Sequence, residues 1–256
     1  MTRVHLVLTT DGPVATLTID RPAKRNAMNY EMWSAIPSFA AEVAADPAVR
    51  ALVIRGGENF SAGADIGEFQ DLRRDAEGAR RYQVAIHAAT TALAELPKPT
   101  IAAITGFCIG GGCELALACD LRLSADDARF GITPSKLGIV FSLPSTKQLV
   151  DVVGPSWAKQ ILYTGEIIDA PTALRIGLVN ELHPADALAK RARDLAELMA
   201  SRSQVTIRGA KAIVGRIIDG QTTEDEAVHA LYEGSVTSAD YAEGVAAFLE
   251  KRQPRF

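Results

Sequence analysis

Two short segments rich in small residues, each following a predicted strand, hold the groups best suited to chemistry. The first is Phe60-Ser61-Ala62-Gly63-Ala64-Asp65-Ile66. Small residues there let a ligand approach the backbone and leave N–H groups free to point outward. The second follows the apolar run Ile101–Ile104 and Gly106, and reads Gly110-Gly111-Gly112-Cys113-Glu114. A glycine triplet opening a helix exposes N–H donors that have no partner inside the helix. Fixed donors of this kind stabilise an oxyanion. Glu114 lies about one helical turn beyond Gly111, so its carboxylate falls near the same face and could act as a general acid or base. Taken singly, each segment has a plainer reading: a tight turn that needs small residues, and an acid complementing a helix start.

These segments need elements to carry them. Val4–Leu8 and Val14–Ile19 alternate or run apolar around Asp11-Gly12, the pattern of a β-hairpin. Helical spacing predicts a helix over about 29–45 capped by Asn29, with Pro37 expected to kink it or delay its start. Ala51–Ile54 reads as a buried strand closed by Gly56-Gly57, and a polar helix follows over about 75–95. Ile101–Ile104 reads as a central strand, Glu114–Ala118 as the start of a short helix, and Leu121–Leu123 as the next strand. From about Pro155 onward the pattern is almost all helical, with Asp169, Asp186 and Thr223 as candidate caps. The expected organisation is a core of ββα-like units over 1–195 and a helical region over 196–256.

The chain has 256 residues, 48% apolar and 23% charged. This is a globular composition, long enough to bury roughly three quarters of its unfolded surface without a metal or disulfide staple. A net charge of −4 with acids and bases interspersed argues against a nucleic-acid surface, and an anionic ligand would need a local basic patch. The first residues carry no signal-peptide pattern, and no apolar run reaches the roughly 20 residues of a bilayer span. A cytoplasmic protein without membrane contact is expected. Cys108, Cys113 and Cys119 form no CxxC pair and have no histidine nearby, so they read as small packing residues. His87, His183 and His229 are scattered and no serine sits in a GxSxG elbow, which argues against a serine hydrolase.

Four stretches in order resemble the signature elements of the crotonase (enoyl-CoA hydratase/isomerase) superfamily. They are Arg21-Pro22 through Asn26-Ala27-Met28-Asn29, the 61–66 segment, the run from Ile101 through Gly110-Gly111-Gly112 to Cys119-Asp120, and the ending from Asp240-Tyr241 to Lys251-Arg252. The resemblance spans nearly the whole chain. It implies an α/β fold, a spiral of ββα units with a helical C-terminal trimerisation region, and trimers that commonly pair into hexamers. It implies a coenzyme A thioester as substrate, no separate cofactor and no metal. The thioester carbonyl would be held by the N–H groups of Ala64 and Gly111, beside Glu114. Ala62, Ala64, Asp65, Ile66, Gly67 and Gly111 would line the coenzyme A path, and Arg21, Lys24 and Arg25 would meet its phosphates. Phe248 and Lys251 of a neighbouring subunit would also reach the ligand.

The pattern departs from a typical hydratase at one position. That family's second glutamate lies in a segment of the form F-G-x-P-E-x-x-L-G, which here reads Phe130-Gly131-Ile132-Thr133-Pro134-Ser135-Lys136-Leu137-Gly138. Pro134 stands where the second glutamate belongs, and neither it nor Ser135 can replace a carboxyl in proton transfer. A positioned acid or base contributes about 10²–10⁴-fold, so hydration by two carboxylates is expected to be impaired. The Thr133-Pro134 variant and the ending also look like the methylmalonyl-CoA decarboxylase branch. That branch, however, carries a histidine in place of Ala64 and a tyrosine in place of Phe141. Pro134, Phe141 and Leu143 are the expected lining of the acyl pocket. The readings carried forward are a hydratase or isomerase with one glutamate, a decarboxylase or other enolate-forming lyase, and a non-catalytic binder of acyl-CoA or an acyl carrier.

Overall fold

The computed structural model describes residues 4–256. Strand β1 (Leu6–Asp11) pairs antiparallel with β2 (Val14–Ile19), from Leu6 opposite Ile19 to Asp11 opposite Val14. The turn is therefore Gly12-Pro13, one residue later than predicted. The first strand also starts later than Val4 and runs on through the β-branched Thr9 and Thr10 to Asp11. Helix α1 (Tyr30–Ala45) is capped as expected, with the Asn29 side chain accepting from the Met32 N–H at 2.9 Å. Pro37 neither delays its start nor interrupts it. The helix buries Met32, Trp33, Ile36, Ala40 and Val43, and that apolar face offsets the one hydrogen bond a proline cannot donate.

The chain continues through β3 (Ala51–Arg55), α2 (Phe69–Leu72) and α3 (Ala76–Ala94), the last capped by Asp75. Then come β4 (Thr100–Ile104), β5 (Phe107–Ile109), α4 (Gly111–Leu117), β6 (Leu121–Ala125) and β7 (Arg129–Gly131). The later elements are α5 (Leu143–Thr164), β8 (Ile168–Asp169), α6 (Ala170–Arg175), β9 (Glu181–His183) and α7 (Ala185–Ala200). Helices α8 (Gln204–Ile218), α9 (Glu226–Val236) and α10 (Ala239–Leu249) close the chain.

The second half corrects the sequence reading in three ways. Helix α5 begins well before Pro155, and the break falls at Gly154 (φ 75°, ψ 165°) just ahead of that proline. Two short strands, β8 and β9, interrupt the helices. Asp169 caps α6 by accepting from the Thr172 N–H, but Asp186 lies inside the first turn of α7, and α9 is capped by Asp225 instead of Thr223.

Strands form a six-stranded sheet in the order β1-β2-β3-β4-β6-β9 and a three-stranded sheet in the order β5-β7-β8. From β2 to β9 all neighbours in the large sheet are parallel. Covered on both faces, its central strands are continuous apolar runs; all five residues of β4 are buried. Consecutive strands β4–β5 and β6–β7 each divide between the two sheets, which places the β5–α4 junction between them. Helix α7 lies on the large sheet through Leu188, Ala192, Ala196 and Ala200. The three cysteines are buried with unpaired thiols. Among the described residues, no helix is long and apolar enough to cross a membrane.

Candidate active site

The segment carrying Ala64 is held between two others. On one side the Ala62 N–H donates to the Arg25 carbonyl, Met28 N–H to Gly63 and Asp65 N–H to Met28, at 2.7–2.9 Å. On the other, Phe60 N–H donates to Thr105, Ser61 N–H to Phe107, and Ile109 N–H to Ser61. Every one of these bonds skips Ala64. Among the described residues its N–H has no acceptor, although the segment around it is fixed.

Asn26, whose role the sequence reading missed, ties the arrangement together. Buried at 3% exposure, it donates from Nδ2 to the Asn59 carbonyl at 2.6 Å and accepts from the Arg21 N–H. The Ser61 hydroxyl in turn donates to the Asn26 carbonyl at 2.8 Å.

The glycine triplet works as its composition suggests. Gly110 takes φ 51° and ψ −114°, a conformation costly for any residue with a Cβ, and its N–H donates to Gly131 in β7 at 2.7 Å. Helix α4 therefore begins at Gly111, earlier than predicted, and the Gly111 N–H has no acceptor among the described residues. A Cβ on Gly112 would lie 2.7 Å from the Ser61 carbonyl oxygen, so only glycine lets the helix approach the Ala64 segment this closely. A Cβ on Gly111 would lie 3.5 Å from Ala64 N, 3.7 Å from Glu114 Oε2, and 2.9 Å from Cζ2 of the buried Trp33. The backbone nitrogens of Ala64 and Gly111 and one Glu114 carboxyl oxygen thus lie close to one another.

Glu114 is buried among α4, α3 and the start of α5. Its Oε1 accepts a hydrogen bond from Ser145 Oγ at 2.6 Å, and Ser145 Oγ lies 2.7 Å from Ser142 Oγ, the cap of α5. Burial pushes the Glu114 carboxyl above its ordinary range; the Ser145 hydrogen bond and the Arg73 charge oppose that shift. Neither serine was predicted, because the spacing between Ser145 and Glu114 is set by the tertiary fold.

The other predicted residues divide. Asp65 is ion-paired to Arg21 at 2.7 Å, and this is a correction: Arg21 belongs to the scaffold and is not a free base for phosphate. The pairing, together with the Gly67 N–H, holds the Asp65 carboxyl below its usual range against the opposing effect of burial. Lys24 and Arg25 remain exposed without an ion pair among the described residues, with the Arg25 guanidinium 5.6 Å over the Phe107 ring. Ala62 is half-buried, while Ile66 and Gly67 are exposed at the lip of the segment.

Pro134 is half-buried in a short 3-10 turn just beyond Gly131, and Phe141 packs against the core. Leu143, the first residue of α5, is 82% exposed. Phe248 and Lys251 lie apart from the Glu114 cluster. Phe248 lines a cleft of about 360 Å³ among α8, α9, α10 and the C-terminus, which no Glu114-cluster residue lines.

Two α/β-connected sheets with a glycine-opened helix beside a buried carboxyl define the class by its architecture: the crotonase fold. The family model described as enoyl-CoA hydratase/isomerase matches residues 9–256. A crotonyl-CoA hydratase of Syntrophomonas wolfei is 36% identical, the alignment covering 98% of this chain and 97% of that one. A short-chain-enoyl-CoA hydratase of Clostridium acetobutylicum is 34% identical over 97% of this chain and 96% of its own. The crystal structure of an enoyl-CoA hydratase/carnitine racemase from Magnetospirillum magneticum superposes with a TM-score of 0.94 at 37% identity, covering 98% and 95% of the two chains. The chain belongs to the enoyl-CoA hydratase/isomerase family.

Proposed function

We propose that the protein acts on 2-enoyl or 3-enoyl thioesters of coenzyme A, holding the thioester carbonyl oxygen with the N–H groups of Ala64 and Gly111 and moving protons with one carboxylate, Glu114. The closeness of those two unpaired N–H groups to each other and to Glu114 Oε2 carries this reading. Charge that develops on the carbonyl oxygen as an enolate forms meets two donors already in place. In other enzymes the loss of one such donor costs about 3–4 kcal/mol of transition-state stabilisation.

A single carboxylate can complete either reaction. In hydration, Glu114 takes a proton from water as the water oxygen bonds to C3, the electron pair passes to the carbonyl oxygen, and the same proton returns to C2. In isomerisation it removes a proton from C2 and returns it at C4. Pro134 supplies no second acid, so hydration runs below the two-carboxylate rate by about 10²-fold or more. That absence also supports the second reading, loss of carbon dioxide from a 2-carboxyacyl thioester, where the enolate needs the donors and only one later protonation.

Coenzyme A enters as part of the substrate, with Lys24 and Arg25 facing its phosphates and the 62–67 segment along its length. The exposed apolar side chains Val214, Ile217, Val236, Tyr241, Phe248 and Leu249 on α8–α10 support assembly into a homotrimer or a hexamer. In that assembly Phe248 and Lys251 would reach a neighbour's ligand. The test is chromatography coupled to mass spectrometry, with enoyl thioester absorbance to separate the equal-mass isomers, of the protein with trans-2-enoyl, 3-enoyl and 2-carboxyacyl thioesters. Gain of water, or conversion of the 3-enoyl to the 2-enoyl isomer, supports the proposal. Loss of carbon dioxide replaces it with the second reading, and no reaction across the panel with coenzyme A still bound replaces it with a binding role.

A further inference from the structure

We propose that Arg73 recognises a carboxylate carried on the acyl group, so that the preferred substrates are thioesters of dicarboxylic acids. The inference deepens the proposed function and rests on its acyl-CoA reading. Arg73 follows α2, and its guanidinium is held on aromatic faces, 4.3 Å from the Phe69 ring centre and 5.5 Å from that of Tyr82. The Tyr82 hydroxyl donates to the Met28 carbonyl at 3.3 Å, and that carbonyl also accepts from Asp65, the residue after Ala64. Arg73 therefore stands one aromatic side chain away from the Ala64 segment. Arg73 is also the charged group that acts on the buried Glu114 carboxyl, opposing the effect of its burial.

An arginine stacked on rings keeps its in-plane N–H groups free for an acceptor. Here none is supplied: Arg73 makes no side-chain hydrogen bond or ion pair with any described residue. The acids that line the Ala64 segment and Glu114 are engaged elsewhere. Asp65 pairs with Arg21, Glu68 Oε2 accepts from the Tyr30 N–H at 2.8 Å, and Glu114 Oε1 accepts from Ser145. A half-buried guanidinium held against two rings, with no partner among the described residues, matches a planar carboxylate that arrives with the ligand. That carboxylate is retained through the reaction. An arginine gripping the departing carboxylate would stabilise the ground-state charge that decarboxylation removes, and so slow the step.

Calorimetry with adipyl-CoA and hexanoyl-CoA, both saturated and of equal chain length, tests this without turnover. A charge-assisted hydrogen bond predicts that the wild type binds adipyl-CoA about ten-fold or more tightly than hexanoyl-CoA. Arg73→Gln should weaken adipyl-CoA by about ten-fold more than hexanoyl-CoA, while Arg73→Lys keeps part of the preference. Equal affinities in the wild type, or equal weakening of both ligands in Arg73→Gln, would overturn the proposal while leaving the acyl-CoA reading intact. Binding of neither ligand to the wild type would overturn both.

Discussion

Ser145→Ala tests the source of Glu114's chemistry. The Ser145 hydroxyl donates at 2.6 Å to a carboxyl that burial already disfavours in its charged form, and both residues are buried. A hydrogen bond to a charged group contributes about 1.5–3 kcal/mol, and 1.4 kcal/mol is a factor of ten, so the loss corresponds to roughly 10- to 100-fold. Because the hydroxyl stabilises the carboxylate form, its removal moves the Glu114 titration to higher pH. The acidic limb of the kcat/KM profile should shift upward by about one to two pH units, and kcat/KM on that limb should fall by that factor with KM little changed. The assay is the loss of enoyl thioester absorbance across a pH series. Ser145→Thr keeps the donor and should restore most of the rate. An Ser145→Ala enzyme with an unmoved limb and kcat/KM within about two-fold of wild type would refute the reasoning.

Three further outcomes follow from the same geometry. Glu114 has a raised carboxyl pKa in the fold, so its contribution to stability is full below the unfolded-state value and lost as pH rises through the raised one. Glu114→Gln should therefore raise Tm at neutral and alkaline pH, with the difference vanishing toward pH 4, and should abolish turnover while coenzyme A binding persists. Gly111→Ala places a Cβ 2.9 Å from Trp33 Cζ2 and in the space between Ala64 N and Glu114; it should cost about 1–3 kcal/mol in denaturant melts and remove activity. Replacing Phe248 and Leu249, 82% and 74% exposed, together by lysine should lower the assembly state seen by light scattering while leaving the circular dichroism spectrum unchanged.

What could be read from the chain alone was what local pattern determines. The hairpin, the buried β4 run, the Asn29 cap and the glycine-opened helix each follow from residue types within a short window. The small-residue composition marked Ser61–Ala64 and Gly110–Gly112 as segments of close backbone approach, while the choice of Ala64 and Gly111 as the donors came from the family resemblance alone. Long-range pairing was hidden. The Arg21–Asp65 ion pair, the Asn26 bonds to Asn59 and the Ser145–Glu114 contact join residues whose sequence separation carries no period. Arg21 was misread as a phosphate ligand because three bases in a row of five look like one patch, while the fold turns one of them inward. The missed β8 and β9 are two and three residues long, too short for an alternation to register. Asp186 and Thr223 looked like caps by type, but the chain leaves each helix start at a different residue.

The most direct test of the proposed oxyanion hole is the infrared carbonyl band of a carbon-13-labelled enoyl-CoA thioester bound to the protein. Two N–H donors at Ala64 and Gly111 predict that the band moves to lower frequency than in water, and that Gly111→Ala reverses the shift. A bound thioester whose carbonyl absorbs at or above its solution frequency would contradict the account.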